Sequence, residues 1–170
     1  LPVDPNQIEE AKVKVYYMGY FEKWHPQSAY YYAVQNSDFQ AAPERTSGTY
    51  SKYSSIDDKV DDLHYYTTLV KFGIGRSTSD ASQEIRNKDI SREEGITLVK
   101  RYENEFPERF FIELLDYLSL PESLFPVASK MVEQPILDRE YFLHLCDRFR
   151  SPHLWKWEEG EWQLRNVVWK

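Results

Sequence analysis

The stretch Ile56-Asp57-Asp58-Lys59-Val60-Asp61-Asp62-Leu63-His64-Tyr65-Tyr66-Thr67-Thr68-Leu69-Val70-Lys71-Phe72-Gly73 decides the fold class of this 170-residue chain. Ile56, Val60, Leu63, Thr67 and Val70 recur at helical spacing and predict one inward face. Ser54 and Ser55, three residues before Asp57 and Asp58, offer a capping box with carboxylates near the positive end of the helix. Gly73 and Gly75 end it. Downstream the pattern stays helical. A second helix is expected from Thr78–Asp80 to about Asn87. Ser91-Arg92-Glu93-Glu94 is another capping box, before Ile96, Val99 and Tyr102. Pro107 suits the first turn of a helix whose apolar face is Phe110, Phe111, Leu114, Leu115 and Leu118. Pro121 opens a further short helix, and Asp138 caps one carrying Phe142, Leu145, Cys146 and Phe149.

The two ends read differently. In Lys12-Val13-Lys14-Val15-Tyr16-Tyr17-Met18-Gly19-Tyr20-Phe21, valines alternate with lysines before an aromatic run, which predicts a β-strand over 12–21. Trp24-His25-Pro26 breaks it, a short helix follows over Gln27–Gln35, and Asn36–Ser55 is a polar, turn-rich loop, longer than compact domains usually carry. After residue 150, two alternating aromatic runs flank Glu158-Glu159-Gly160-Glu161, a β-hairpin signal. The expectation is a mainly α-helical chain with an N-terminal strand and a C-terminal hairpin, divided at 1–56, 57–150 and 151–170. A lone strand needs a sheet, which would lie upstream or in another chain. A first residue of Leu rather than Met agrees with an upstream segment having been removed.

Composition narrows the function classes. With 21 Lys and Arg against 28 Asp and Glu, the net charge is −7. Such a chain is poorly suited to neutralising nucleic-acid phosphates. One cysteine, Cys146, excludes a disulfide scaffold or a cysteine zinc module, and its helical spacing from Phe142 and Phe149 predicts a buried thiol. His25, His64, His144 and His153 show no paired ligand spacing, so no metal site is expected. No apolar run reaches the roughly 20 residues of a membrane span. No signal peptide opens the chain, which leaves a cytoplasmic-type protein. Thirteen Tyr, nine Phe and five Trp supply rings that either fill half-buried positions or stack on a ligand.

The chemistry concentrates between Tyr50 and Arg86. Asp57, Asp61, His64, Thr68 and Lys71 fall within about 80° of one another on a helical wheel, on a stripe separate from the apolar face. The following Lys71-Phe72-Gly73-Ile74-Gly75-Arg76-Ser77-Thr78-Ser79-Asp80 holds two glycines, three hydroxyls, a helix N-terminus and flanking cations, the parts of a phosphate cradle. Residues 71–101 carry seven Lys/Arg against five Asp/Glu, locally basic in an acidic chain. Asp80 and Glu84, four apart, share a helix face with room to accept from sugar hydroxyls or a metal-bound water; capping and an ion pair are the structural alternatives.

Three segments carry a family resemblance: Gly48-Thr49-Tyr50-Ser51-Lys52-Tyr53-Ser54-Ser55-Ile56-Asp57-Asp58-Lys59, then Lys71–Arg86, then Ile90-Ser91-Arg92-Glu93-Glu94. With the closing Asp147–Trp155 and Trp162–Arg165, they resemble the N-acetyl sugar amidotransferases of lipopolysaccharide O-antigen and pseudaminic or legionaminic acid biosynthesis. The resemblance covers about the second half of a usual member. It implies an α/β PP-loop ATP-pyrophosphatase that turns a sugar acetamido group into an acetamidino group. Such enzymes adenylylate the amide oxygen with ATP and Mg²⁺, and ammonia from a separate glutaminase displaces AMP. It implies a nucleotide-sugar substrate, Lys71 and Arg76 on phosphate, the 73–79 backbone as cradle, Gly73, Gly75 and Thr78 included, and Asp80, Glu84 and Arg86 on sugar or metal. Tyr50, Ser54, Asp57 and His64 would line the pocket. The family's Ser-Gly-Gly-x-Asp-Ser loop and Cys-x-x-Cys pair are absent, so no catalytic residue is assigned. Where relatives carry Tyr-Asp-Gly, this chain has Tyr102-Glu103-Asn104. Two other classes stand beside this one: a non-catalytic helical module docking the glutaminase or a second copy of itself, and a carbohydrate-binding protein with Tyr and Trp platforms.

Overall fold

The computed structural model describes residues 4–121 and 136–170, which fall into two compact units, Leu1–Phe39 and Gln40–Lys170. The break falls within the polar loop Asn36–Ser55, most of which lies in the second unit.

In the first unit α1 spans Pro5–Glu10 and α2 spans Pro26–Asn36. Asp4 caps α1 by accepting from the Asn6 amide (2.9 Å), with Pro5 in the first turn, where its missing N–H costs nothing. His25 caps α2 through Nδ1 (3.2 Å). The strand expected over 12–21 does not form. Lys12 takes a left-handed conformation (φ 51°), residues 13–17 are irregular, and Met18–Tyr20 is one turn of 3-10 helix. A strand is stable only beside another, and the described residues of this unit contain none.

The second unit is helical, with a hairpin at its end. α3 spans Val60–Phe72, α4 Arg76–Asn87, α5 Arg92–Tyr102, α6 Phe111–Leu118 and α7 Arg139–Phe149. β1 (Trp155–Glu158) and β2 (Glu161–Leu164) pair antiparallel, Trp155 opposite Leu164. Glu159 and Gly160 both have positive φ (54° and 84°), as a two-residue turn matched to strand twist requires. α3 ends at Gly73, whose φ of 71° is the left-handed cap position.

Local signals are obeyed where they are self-contained. Ser91 and Glu94 form the reciprocal capping box of α5, and Asp138 caps α7 from the Tyr141 amide (2.8 Å). The Ser54/Ser55 box does not form. Asp58 instead accepts from the Val60 amide (2.8 Å), α3 begins at Val60, and Ile56 is left 42% exposed. Pro107 is buried in the turn before α6 rather than inside it. The helix expected after Pro121 lies outside the described residues.

Leu63 and Val70 of α3, Phe111, Leu114 and Leu115 of α6, and Phe142 and Cys146 of α7 form the main core. Phe111 meets Phe106 and Phe142 edge-on at 4.8 and 5.2 Å, the geometry aromatic pairs prefer. Cys146 is buried among them, and burial pushes its thiol up to about 11, so it packs rather than reacts. Leu69, Trp155 and Leu164 form a smaller cluster that fastens the hairpin to α3. Truncating Phe111 to Ala removes the central ring of the main core and is expected to cost about 3–5 kcal/mol. Urea unfolding of the purified chain checks this; a loss near that of an exposed residue would mean the three helices do not share this core.

Candidate functional site

The turn between α3 and α4 presents the amides of Gly75 and Thr78 at a helix N-terminus, where an anion is favoured. The anion is the protein's own. Glu103, 4% exposed at the end of α5, accepts from the Gly75 amide (2.7 Å), the Thr78 amide (2.9 Å) and the Thr78 hydroxyl (2.7 Å). A methyl group at Gly75 would lie 2.8 Å from the Glu103 carboxyl carbon, so glycine is what lets the carboxylate approach.

In the expected phosphate cradle at 73–79, the Gly75 and Thr78 amides and the Thr78 hydroxyl are thus taken by Glu103, and the Ser77 amide by the Gly48 carbonyl. Nor do the two cations flank it. Arg76 turns to Asp80 (Nε to Oδ1, 2.7 Å) and the Tyr65 hydroxyl (2.7 Å), while Lys71 is exposed, with its ammonium 5.3 Å from the Phe72 ring. An ATP phosphate does not fit where Glu103 sits. Among the described residues, no three His, Cys, Asp or Glu side chains stand close enough to hold a metal.

Beside the turn, the polar loop is built into the unit rather than lying over it. Thr46 and Thr49 are buried, Thr49 completely (0% exposed), as is Ser51. The Gly48 carbonyl accepts from both the amide (3.1 Å) and the hydroxyl (2.8 Å) of Ser77. Glu105 pairs with Arg45 and accepts from the Gly48 amide (3.0 Å). Asp62, 1% exposed, accepts from Ser47 (3.0 Å) and, through both oxygens, from Arg109 (3.1 and 3.0 Å). A buried carboxylate is tolerated only when so paired. Ser54 serves the loop itself: its carbonyl accepts from Thr46, and its hydroxyl meets that of Ser51 (3.1 Å).

This loop places Thr49 and Tyr50 against α4. Thr49 donates to Asp80 (2.6 Å) and Tyr50 donates to Glu84 (3.0 Å). Arg76 links Asp80 to Tyr65, whose hydroxyl meets Ser55 and Asp61. Of the twelve residues the sequence nominates, Tyr50, Arg76, Asp80 and Glu84 thus stand in one half-buried cluster. Thr78 and both glycines belong to the Glu103 contact or its flank. His64, Asp57, Lys71 and Arg86 are exposed and outside the cluster. Asp57 also precedes α3, so the stripe drawn through it begins at Asp61.

Burial, with the nearby Asp80 charge, holds the Glu84 carboxyl above its ordinary range despite the bond from Tyr50. Burial and Glu84 likewise push the Tyr50 phenol up, so it stays a donor. For Arg76 burial works against the charge, but Asp80 and Tyr65 outweigh it and hold the guanidinium above its usual range. Perturbed groups gathered on one face are a common mark of a binding site.

Thr49 is the cluster member that the sequence alone does not nominate, and Glu103 is the residue that holds the turn beside it. Thr49 lies within a quoted motif. Glu103, in Tyr102-Glu103-Asn104, lies outside the nominated set and is found only through its contact with the start of α4.

The sequence profile described as LPS biosynthesis protein WbpG-like, C-terminal domain, matches residues 47–168. No curated protein sequence matches the chain.

Two measurements follow from this geometry. Glu103→Gln puts an NH₂ group against amide donors and is expected to destabilise the chain by about 2–3 kcal/mol in urea unfolding; an unchanged midpoint would mean Glu103 does not hold the turn. Glu84 ionises less readily folded than unfolded, so the folded state binds its proton more tightly. Its contribution to stability is present at low pH and lost as pH rises from the unfolded value through the folded one. Glu84→Gln should therefore gain stability relative to wild type as pH rises through the acid range. A constant or falling difference would contradict the burial of that carboxyl.

Proposed function

We propose, for a chain that belongs to the WbpG-like LPS biosynthesis family as its C-terminal domain, that it is the sugar-binding part of a cytoplasmic, ATP-dependent N-acetyl sugar amidotransferase. The reaction converts an acetamido group on a nucleotide sugar into an acetamidino group. One observation carries the reading: motif segments 48–59 and 71–86, separate in sequence, meet along one face of α4, where Thr49 and Arg76 bond Asp80 and the adjacent Tyr50 bonds Glu84.

The cluster suits sugar recognition. Asp80 and Glu84 accept from ring hydroxyls, as Thr49 and Tyr50 now donate to them. The Tyr50 phenol and Arg76 guanidinium donate to carbonyl oxygen, as on an acetamido group. Charge-assisted bonds of this kind give orientation as well as affinity. ATP, Mg²⁺, a PP-loop α/β fold and a glutaminase partner belong to the same proposal for the whole enzyme, and no residue of this chain is assigned to them. No helix of the described residues is long and apolar enough to cross a membrane.

A second reading, a docking module for the glutaminase or a second copy, is favoured by the exposed Val15, Tyr17, Tyr20, Phe21 and Trp24, since apolar surface of that extent is commonly covered by a partner.

The complete protein, given ATP, ammonia and a nucleotide-linked N-acetyl sugar, is expected to release AMP and pyrophosphate and to replace the amide oxygen by NH in the product's mass spectrum. Tyr50→Phe and Glu84→Gln should raise KM for the sugar roughly tenfold and leave KM for ATP unchanged. Turnover without amidine formation would refute the reaction. Amidine formation with unaltered sugar KM in both variants would refute the role given to the cluster and favour the docking reading.

A further inference from the structure

Between the hairpin, α3 and residues 167–170 lies a cavity of about 450 Å³, within the size range of small-molecule sites. It shares no residue with the face of α4 that meets Thr49 and Tyr50. Four consecutive residues of β2, Glu161 to Leu164, line it, but of β1 only Trp155, so it runs along the open edge of β2. The bond from the Arg165 amide to the Leu154 carbonyl (2.8 Å) sets the phase of the ladder. Lys156 and Gln163 are then a bonded pair, whereas Trp162 and Leu164 turn their backbone N–H and C=O away from β1, to that edge. Among the described residues these groups have no hydrogen-bond partner.

The rest of the lining supplies rings and side-chain polar atoms. Trp162 and Trp169 are half-buried, and Asp147 fixes the Trp162 indole by accepting from its Nε1 (2.9 Å). The Trp169 indole N–H and the exposed Asn104 amide make no hydrogen bond among the described residues. Gln163 donates from Nε2 to Glu161 (3.1 Å), which leaves its side-chain carbonyl oxygen unbonded. Charge offers no grip on an anion here. Arg150 spends its guanidinium on Asp147 and Tyr66 with Nε buried away from the space, and Lys170 and Glu161 in the lining oppose each other. Mixed donors and acceptors beside indole surface match a polyol. Each hydroxyl both donates and accepts, and the C–H face of a sugar ring packs against an aromatic one.

We propose that this cavity is a second ligand site, for a neutral sugar. The sugar ring lies against Trp162 and Trp169, and its hydroxyls bond the open edge of β2, the Asn104 amide and the Gln163 carbonyl. Strand and indole are already held in place, so little ordering is needed when the sugar enters. The site stands independently of the proposed reaction and asks for no acetamido group.

Indole fluorescence of the full chain, titrated with glucose, galactose and rhamnose and, in parallel, with glucose 1-phosphate and uridine, tests it. Saturable change with at least one neutral sugar, tighter than with the phosphate or the nucleoside, is expected. Asn104→Ala removes an exposed side chain and strands no partner, so it should weaken the preferred sugar about fivefold with an unchanged circular dichroism spectrum. Glu84→Gln, on the far side of the proposed reaction's own site, should leave this binding unaltered. A readout free of substitution is the wild-type amide spectrum: the Trp162 and Leu164 N–H resonances should move on titration, while that of Lys156, bonded within the hairpin, stays. The proposal is overturned by no saturable change with any of the three sugars, by tighter binding of uridine or glucose 1-phosphate, or by stationary Trp162 and Leu164 amides during binding. Unaltered binding in Asn104→Ala, or its loss in Glu84→Gln, would equally take the sugar out of this cavity.

Discussion

A single buried carboxylate governs the arrangement of this domain. Glu103 sits at the end of α5 and takes two backbone amides and one hydroxyl at the start of α4. The interaction is strong because the helix N-terminus concentrates unpaired donors and partial positive charge at one point, away from water. It locks α4 beside α5, and the register of α4 then follows. Asp80 lies about one turn along, and Glu84 about one turn further, on the face that meets Thr49 and Tyr50. The helix end that an external phosphate could have used is the end the fold needs for itself.

The same logic runs through the loop before α3. Asp62, Glu105 and Asp80 each bind a different part of residues 45–49, with Arg109, Arg45 and Arg76 as counter-charges. A polar loop cannot be stabilised by apolar burial, so its backbone and hydroxyls must be satisfied one by one. Carboxylates do this well, each accepting several bonds. Part of the chain's acidity is thus internal architecture. Removing one partner of such a pair leaves a charge stranded in a low-dielectric setting, which is why these contacts are stiff. A stiff loop is also what a recognition cluster requires, since groups held in place need less ordering when a ligand arrives.

Much of the fold was legible residue by residue. The Ser91–Glu94 box, the Asp138 cap, the Gly73 stop and the Gly160 turn all act within a few residues of themselves, and each appears where it was read. The strand over 12–21 failed for the opposite reason: an alternating pattern states a preference that only a neighbouring strand can satisfy. Neither Ser54 nor Ser55 caps α3, because the loop holds Ser54 and Tyr65 holds Ser55; Asp58 meets the first helical amide instead. Of the candidate site, Tyr50, Arg76, Asp80 and Glu84 were recoverable from type and spacing, whereas their mutual bonding was not.

By itself the sequence determined the helical periods, most of the caps, the hairpin turn and the residue types from which a polar site could be assembled, because those depend on local geometry and short-range hydrogen bonds. Tertiary structure alone decided which anion occupies the start of α4. Gly75 and Glu103 are 28 residues apart, and a helix N-terminus accepts a negative charge equally well from a ligand or from the chain's own distant side chain.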